Sequence, residues 1–172
     1  MRTLFLLILL SALAAGQTAT DNPQLASAKA FYETVRTNIL KAAEKMPEDK
    51  YAYKPSDDVR TYGQLLAHIA DAQYFLCGTA KEGKSENRGI EKSKHTKAEI
   101  ATALHEGFAY CDSAYAELTD ASSAAIVTFF GQKRTKLSML SFNTAHSFEH
   151  YGNLATYLRM NRIVPPSSEP RK

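Results

Sequence analysis

Three histidines stand where their chemistry could be shared: His68 in TYGQLLAHIADAQYFL, and His146 and His150 in SFNTAHSFEHYGNLATYLR. A four-residue step leaves His146 and His150 about 40° apart on one helical face, at roughly 100° per residue, so both imidazoles can meet one ion. His68 lies beside Leu65, Ile69 and Leu76, with Ala72 and Phe75 four and seven residues further on, and so points inward as a third ligand. Three neutral imidazoles leave coordination positions open to water or a thiolate, the mark of a catalytic rather than a structural ion. Such ligands suit zinc foremost, and nickel, iron or copper as well. The spacing by itself is equally that of core histidines satisfied by hydrogen bonds.

Around these residues stand groups that could assist. Asp71, three residues after His68, and Glu149, just before His150, are candidate catalytic carboxylates. They could orient an imidazole or act as a general base, although a solvated helix charge is the plainer reading of each. Gln64 and Asn153 fall on the histidine-bearing faces, where an amide could bond a substrate. His95 and His105 have no partner at ligand spacing and read as surface residues. Tyr151 and Tyr157 read as core aromatics whose hydroxyls find a polar neighbour.

Four helices must position this set. Leu25, Ala28, Tyr32, Val35 and Ile39 recur at three- and four-residue steps, which predicts a helix over Asn22 to Met46, ended by Pro47. After the connector PEDKYAYKPSDDV, a second helix is expected from Thr61 to Thr79 with His68 in its middle. The polar stretch from Ala80 to His95 reads as a solvated crossover, and Thr96 with Glu99 makes a capping box for a third helix, Lys97 to Leu118. A β-like run, Ile126 to Phe130, with a turn at Gly131 suggests a short hairpin before the last helix, Lys136 to Met160. In that helix Ser138, Ser141, Ala145, Gly152, Thr156 and Arg159 form the solvent sector, and the remaining two-thirds reads as buried. The fold class is therefore all-α.

The first sixteen residues, MRTLFLLILLSALAAG, pair a basic Arg2 with an apolar run and small residues, the layout of a signal peptide cut after Ala14, Gly16 or Ala19. A periplasmic or secreted product is expected. The apolar run falls short of the roughly 20 residues a membrane span needs, and no cysteine near the cleavage region could carry a lipid, so no stable membrane anchor is expected. Residues 17–166 suit one domain, and 167–172, after Pro165 and Pro166, read as a loose tail. The formal net charge of +3 falls to +2 without Arg2, and charges of both signs are scattered. The short basic segments, Lys92 to Lys97 and Lys133 to Lys136, form no stripe, so no nucleic-acid partner is expected.

The segments PEDKYAYKPSDDVRTYGQLLAHIADAQ and FNTAHSFEHYGNLATYLRMNRIVPPSS, with the helix spacing over nearly the whole mature chain, resemble the DinB-like superfamily of helical-bundle metalloproteins, which includes relatives of the YfiT type. The resemblance implies a four-helix bundle of up-down-down-up topology, with a divalent metal held by one histidine of the second helix and two of the fourth; these map to His68, His146 and His150. Asn153 departs from the glutamine many relatives carry there. Some relatives use low-molecular-weight thiols, and many exported ones have no assigned activity. The expected function is accordingly a metal-dependent transferase or hydrolase that activates a thiol or water for a small-molecule substrate, with a non-catalytic metal- or ligand-binding bundle as the alternative and a homodimer left open. Cys77 and Cys111 bear on topology. With the second and third helices parallel the two lie nearly level, which permits a disulfide; an antiparallel hairpin separates them beyond the ~7 Å Cα limit. The 16-residue crossover could span about 50 Å extended, enough for the parallel case.

Overall fold

Helix α1 (Pro23–Lys45) forms on the expected apolar spacing, and Tyr32, Val35, Ile39, Ala42 and Ala43 are all buried, with Met46 just past its end. The computed structural model describes residues 23–170; the segment 1–16 read as a signal peptide and Asn22, read as a helix cap, lie outside them. Helix α2 (Tyr62–Ala72) opens on a capping box, in which Gln64 N–H donates to Thr61 Oγ1 at 3.2 Å and Thr61 N–H donates to Gln64 Oε1 at 2.9 Å. The Gln64 side chain is thereby engaged in starting its own helix. The chain then passes through a π-helical segment (Gln73–Cys77) into α3 (Gly78–Glu82). The helix expected over Thr61 to Thr79 is present, but a wide turn inserts a residue into its hydrogen-bond ladder and re-aims the side chains beyond it.

The crossover is less solvated than its composition suggests. It contains a short helix, α4 (Ile90–Ser93), whose Ile90 is buried. Helix α5 (Lys97–Ala116) begins at the expected box between Thr96 and Glu99. After α6 (Asp120–Ser123), strands β1 (Ile126–Phe129) and β2 (Gln132–Thr135) pair antiparallel, with Ile126 opposite Thr135 and Phe129 opposite Gln132. This is the small hairpin expected before the last helix. Thr135 then caps α7 (Lys136–Met160), whose bounds match those expected.

Helix α1 packs on α7 and α5, and α2 packs on the same two helices, so the four long elements share one core. Leu104, Leu140 and Leu154 are fully buried there, each contributing about 1.5–3 kcal/mol relative to exposure. The Tyr32 ring stacks on Tyr115 at 4.7 Å, and its hydroxyl donates to Phe108 O at 3.0 Å and Asp112 Oδ1 at 2.8 Å. Cys77 and Cys111 are joined in a disulfide with Cα atoms 5.3 Å apart, tying the end of the π segment to α5. Beside it, Asn143 donates to Gln73 Oε1 at 2.8 Å and to Cys111 Sγ at 3.4 Å.

Two expectations need correcting. The buried sector of α7 is narrower than two-thirds of its circumference, since Phe142 is 49% and Phe148 38% exposed. The tail is not loose as far as it is described: Pro166–Ser168 form a 3-10 turn, Ser167 N–H donates to Tyr151 Oη at 2.9 Å, and Lys45 pairs with Glu169. Among the described residues no helix is long and apolar enough to cross a membrane.

Candidate metal centre

The fold brings His68 from α2 together with His146 and His150 from α7, with one ligand-capable atom of each within 4.8 Å of the others. Their Nε2 atoms face one point: His146 Nε2 lies 3.0 Å from His150 Nε2 and 3.3 Å from His68 Nε2. Three ligands at about 2.1 Å from one ion would stand about 3.0 Å apart at right angles and about 3.4 Å apart in a tetrahedron, so the spacing fits a divalent cation. A proton alone fits less well, because one Nε2–H on a lone pair satisfies only one of the two short contacts. Burial is the main force lowering all three imidazole pKa values, with the neighbouring rings next or close behind, and His146 is held at about 4. At neutral pH the rings are uncharged and offer lone pairs.

Glu91, at the start of α4, is the member of the site that spacing did not reveal. Its Oε2 lies 3.3 Å from His68 Nδ1, and Arg60 donates through Nε to Glu91 Oε1 at 2.8 Å. A Nδ1–H given to Glu91 leaves His68 Nε2 as the acceptor turned toward the other histidines. Arg60 is braced in turn, since Tyr157 Oη donates to its carbonyl at 3.0 Å. The sequence signal for Glu91 was weak: one apolar residue, Ile90, in a polar stretch, 23 positions from His68.

Asp71 is buried rather than solvated, and it does not reach the histidines directly. Its Oδ1 accepts from Ile90 N–H at 3.0 Å and its Oδ2 from Glu91 N–H at 2.9 Å, so it caps α4 from a neighbouring helix and sets where Glu91 stands. Glu149 is exposed, though near enough to push the His146 and His150 pKa values upward against the dominant effect of burial. His95 and His105 are exposed and outside the cluster, as expected. Among the described residues His146 Nδ1 and His150 Nδ1 have no hydrogen-bond partner.

Two cavities meet at the histidines. A polar one of about 730 Å³ is lined by Asp57, Asp58, Arg60, Gln64, Glu91, His150 and Asn153. A smaller one of about 320 Å³ runs from His68, Glu91 and His146 to Phe75, Phe129, Phe130 and Phe142. Asn153 thus faces the polar side, and Glu91 borders both.

Known proteins share this fold. The uncharacterized protein YjoA of Bacillus subtilis is 28% identical over 126 residues, which span 72% of this chain and 80% of YjoA. The crystal structure of that DinB-like protein superposes with a TM-score of 0.68 at 23% identity, covering 85% of this chain and 99% of the other. A DinB-like protein of Bacillus cereus gives a TM-score of 0.69 at 15% identity over 87% and 98% of the two chains. The mycothiol-dependent maleylpyruvate isomerase has the same fold at 14% identity, with a TM-score of 0.63 over 76% of this chain and 60% of its own. The model of the DinB superfamily matches residues 32–154, a stretch that holds all three histidines, Glu91 and the disulfide, and the chain belongs to that superfamily.

Proposed function

We propose that His68, His146 and His150 hold one divalent cation through Nε2, zinc foremost, and that the protein is a metal-dependent transferase or hydrolase acting on a small molecule with a thiol or water as nucleophile. The convergence of three uncharged imidazoles, His146 Nε2 lying 3.0 Å from His150 Nε2 and 3.3 Å from His68 Nε2, with all three within 4.8 Å of one another, is the observation that carries this reading. A cation bound there supplies positive charge that lowers the pKa of a thiol or water brought to it. The rest falls to the chain's own residues. Glu91 fixes the His68 ring, borders both cavities, and is the carboxylate best placed to take up a proton from the nucleophile. Asp71 serves that carboxylate through the α4 cap, and Glu149 offers a second, more exposed acceptor. The dependence of a structural relative on mycothiol favours a thiol.

The four long helices are read as an up-down-down-up bundle within one domain, 17–166. The Cys77–Cys111 bond supports this, since it needs the two cysteines level along neighbouring helices. A buried disulfide also belongs to an oxidising compartment, which supports export to the periplasm or beyond after removal of residues 1–16.

Elemental analysis of untagged mature protein tests the reading, beside His68→Ala and His146→Ala with far-UV circular dichroism as the check on folding. Near one equivalent of metal, lost in both folded variants, is expected. A wild-type protein that takes up no added divalent ion would sink it, and stoichiometric metal without thiol-transfer or hydrolytic turnover would leave the binding module.

A further inference from the structure

We infer that the smaller cavity receives an apolar group of the ligand, an aryl ring or a branched alkyl of similar size, whose reactive end reaches His68 and His146; the inference rests on the functional reading above. The wall opposite the histidines is made of phenylalanine. Phe129 lies 4.5 Å from Phe130, 6.0 Å from Phe75 and 6.0 Å from Phe142, and Phe75 lies 6.1 Å from Phe130, ring centre to ring centre. A cavity of about 150 Å³ lined by apolar side chains accepts benzene, so about 320 Å³ has room for a ring and a short linker. Water suits it poorly. Its polar groups are His68, Asp71, Asn87, Glu91 and His146, and each Asp71 oxygen already accepts a backbone N–H, while Ala72, Leu76 and four phenylalanines make up the rest of the lining.

The hairpin tip shows that this wall is not a by-product of folding. Phe130 and Gly131 form its two-residue turn with φ of 47° and 74°, the geometry for which Asn-Gly is the favoured pair and in which a bulky side chain is disfavoured. Phe130 is also 81% exposed, so its ring recovers little burial in return. Neither the turn nor the core asks for phenylalanine there, whereas a ligand lying in the cleft would cover it. The π segment contributes from the other side, because Phe75 sits in its wide turn and faces the hairpin. The polar end of the cleft at His68 and Glu91 and the apolar end at Phe130 fit a small molecule with one functional group and one apolar end.

Chelator-treated protein titrated with benzyl alcohol, followed by amide NMR shifts, separates this inference from the metal reading, because it needs no ion. Saturable shifts at Phe75, Phe129 and Phe142 are expected, and glycerol should leave those amides unmoved. Phe142→Ala should weaken binding about three- to tenfold. Phe130→Asn should weaken it similarly while raising the melting temperature, since it relieves the turn as it removes the ring. Phe31→Ala, in a separate groove with Ala28 and Phe148, should change neither. Equal affinity in wild type, Phe142→Ala and Phe130→Asn, or shifts centred elsewhere, would overturn the inference, whatever the metal content proves to be.

Discussion

His68 and the His146–His150 pair present the same atom to the same point by different means. On α7 the work is done by helical spacing alone: a four-residue step aligns two rings, and the burial of Leu154, Tyr157 and Leu158 holds that face inward. No side chain among the described residues grips either Nδ1. On α2 a single histidine is aimed by a chain of contacts running through the crossover, from Asp71 to the α4 backbone, from Glu91 to the ring, and from Arg60 to Glu91. The π segment after that helix is further tied to α5 by the disulfide. One arm of the site is therefore as firm as its helix, and the other is as firm as a loop and a covalent bond. Disturbing the crossover or the disulfide should act on the His68 arm and spare the pair.

The disulfide should give the largest effect. Its cysteines are 34 residues apart, and chain-entropy reasoning gives about 4 kcal/mol for closing such a loop. Replacing both cysteines by serine should lower the denaturant midpoint and steepen the slope, because the released denatured chain exposes more surface, and reduction of wild type should do the same; no shift in midpoint would mean that packing alone fixes α2 against α5. Next comes Glu91→Gln, which weakens the acceptor for His68 while keeping its size. Loss of such an outer partner costs roughly 10–100-fold in metal affinity, so competition with a chelator should show a drop in that range at nearly unchanged melting temperature. An unchanged affinity would mean that the His68 rotamer is set by packing on α2. Asp71→Ala should cost about 1 kcal/mol, the usual value of a helix cap, and should also weaken metal binding because Glu91 loses its anchor. Combined with Glu91→Gln it should weaken metal binding little further, since both act through one ring.

The same difference decides what could be read in the chain. The α7 arm was legible: its bounds, the hairpin before it, and its paired histidines arise from local spacing and turn chemistry. His68 was legible as an inward residue of an amphipathic helix, but the contacts that aim it were not. Glu91 lies among lysines, serines and glycines whose composition describes a solvated loop, and nothing local marks a carboxylate that meets a ring from another element. Asp71 was noticed for its nearness to His68, yet its oxygens serve backbone groups 19 and 20 residues away. The π turn at Gln73–Cys77 was hidden for a related reason, because one inserted residue leaves the apolar spacing on either side intact. The disulfide was legible only as a condition on topology, and the structure joins the two cysteines.

The smallest effect concerns the far end of the crossover, where the chain enters α5. Glu99 there accepts the Thr96 N–H at 3.1 Å and the Thr96 hydroxyl at 2.8 Å, and hydrogen bonds first from Thr96 and then from His95 hold its carboxyl down at about 2, against 4.5 unperturbed. Since the folded value is depressed, the box stabilises fully above pH 4.5, weakens as pH falls below it, and contributes nothing below about 2. Glu99→Gln should remove that part of the acid dependence while leaving the neutral-pH fold intact, because glutamine also serves in a capping box. If the crossover is one mechanical unit, acid should also loosen Glu91. Amide exchange at Ile90 and Glu91 measured across pH 4.5 to 2 would then speed up more in wild type than in Glu99→Gln. Equal acceleration in both would show that Asp71 holds α4 independently of the α5 cap, and would confine the vulnerable part of the His68 arm to the few residues between Gly89 and Ser93.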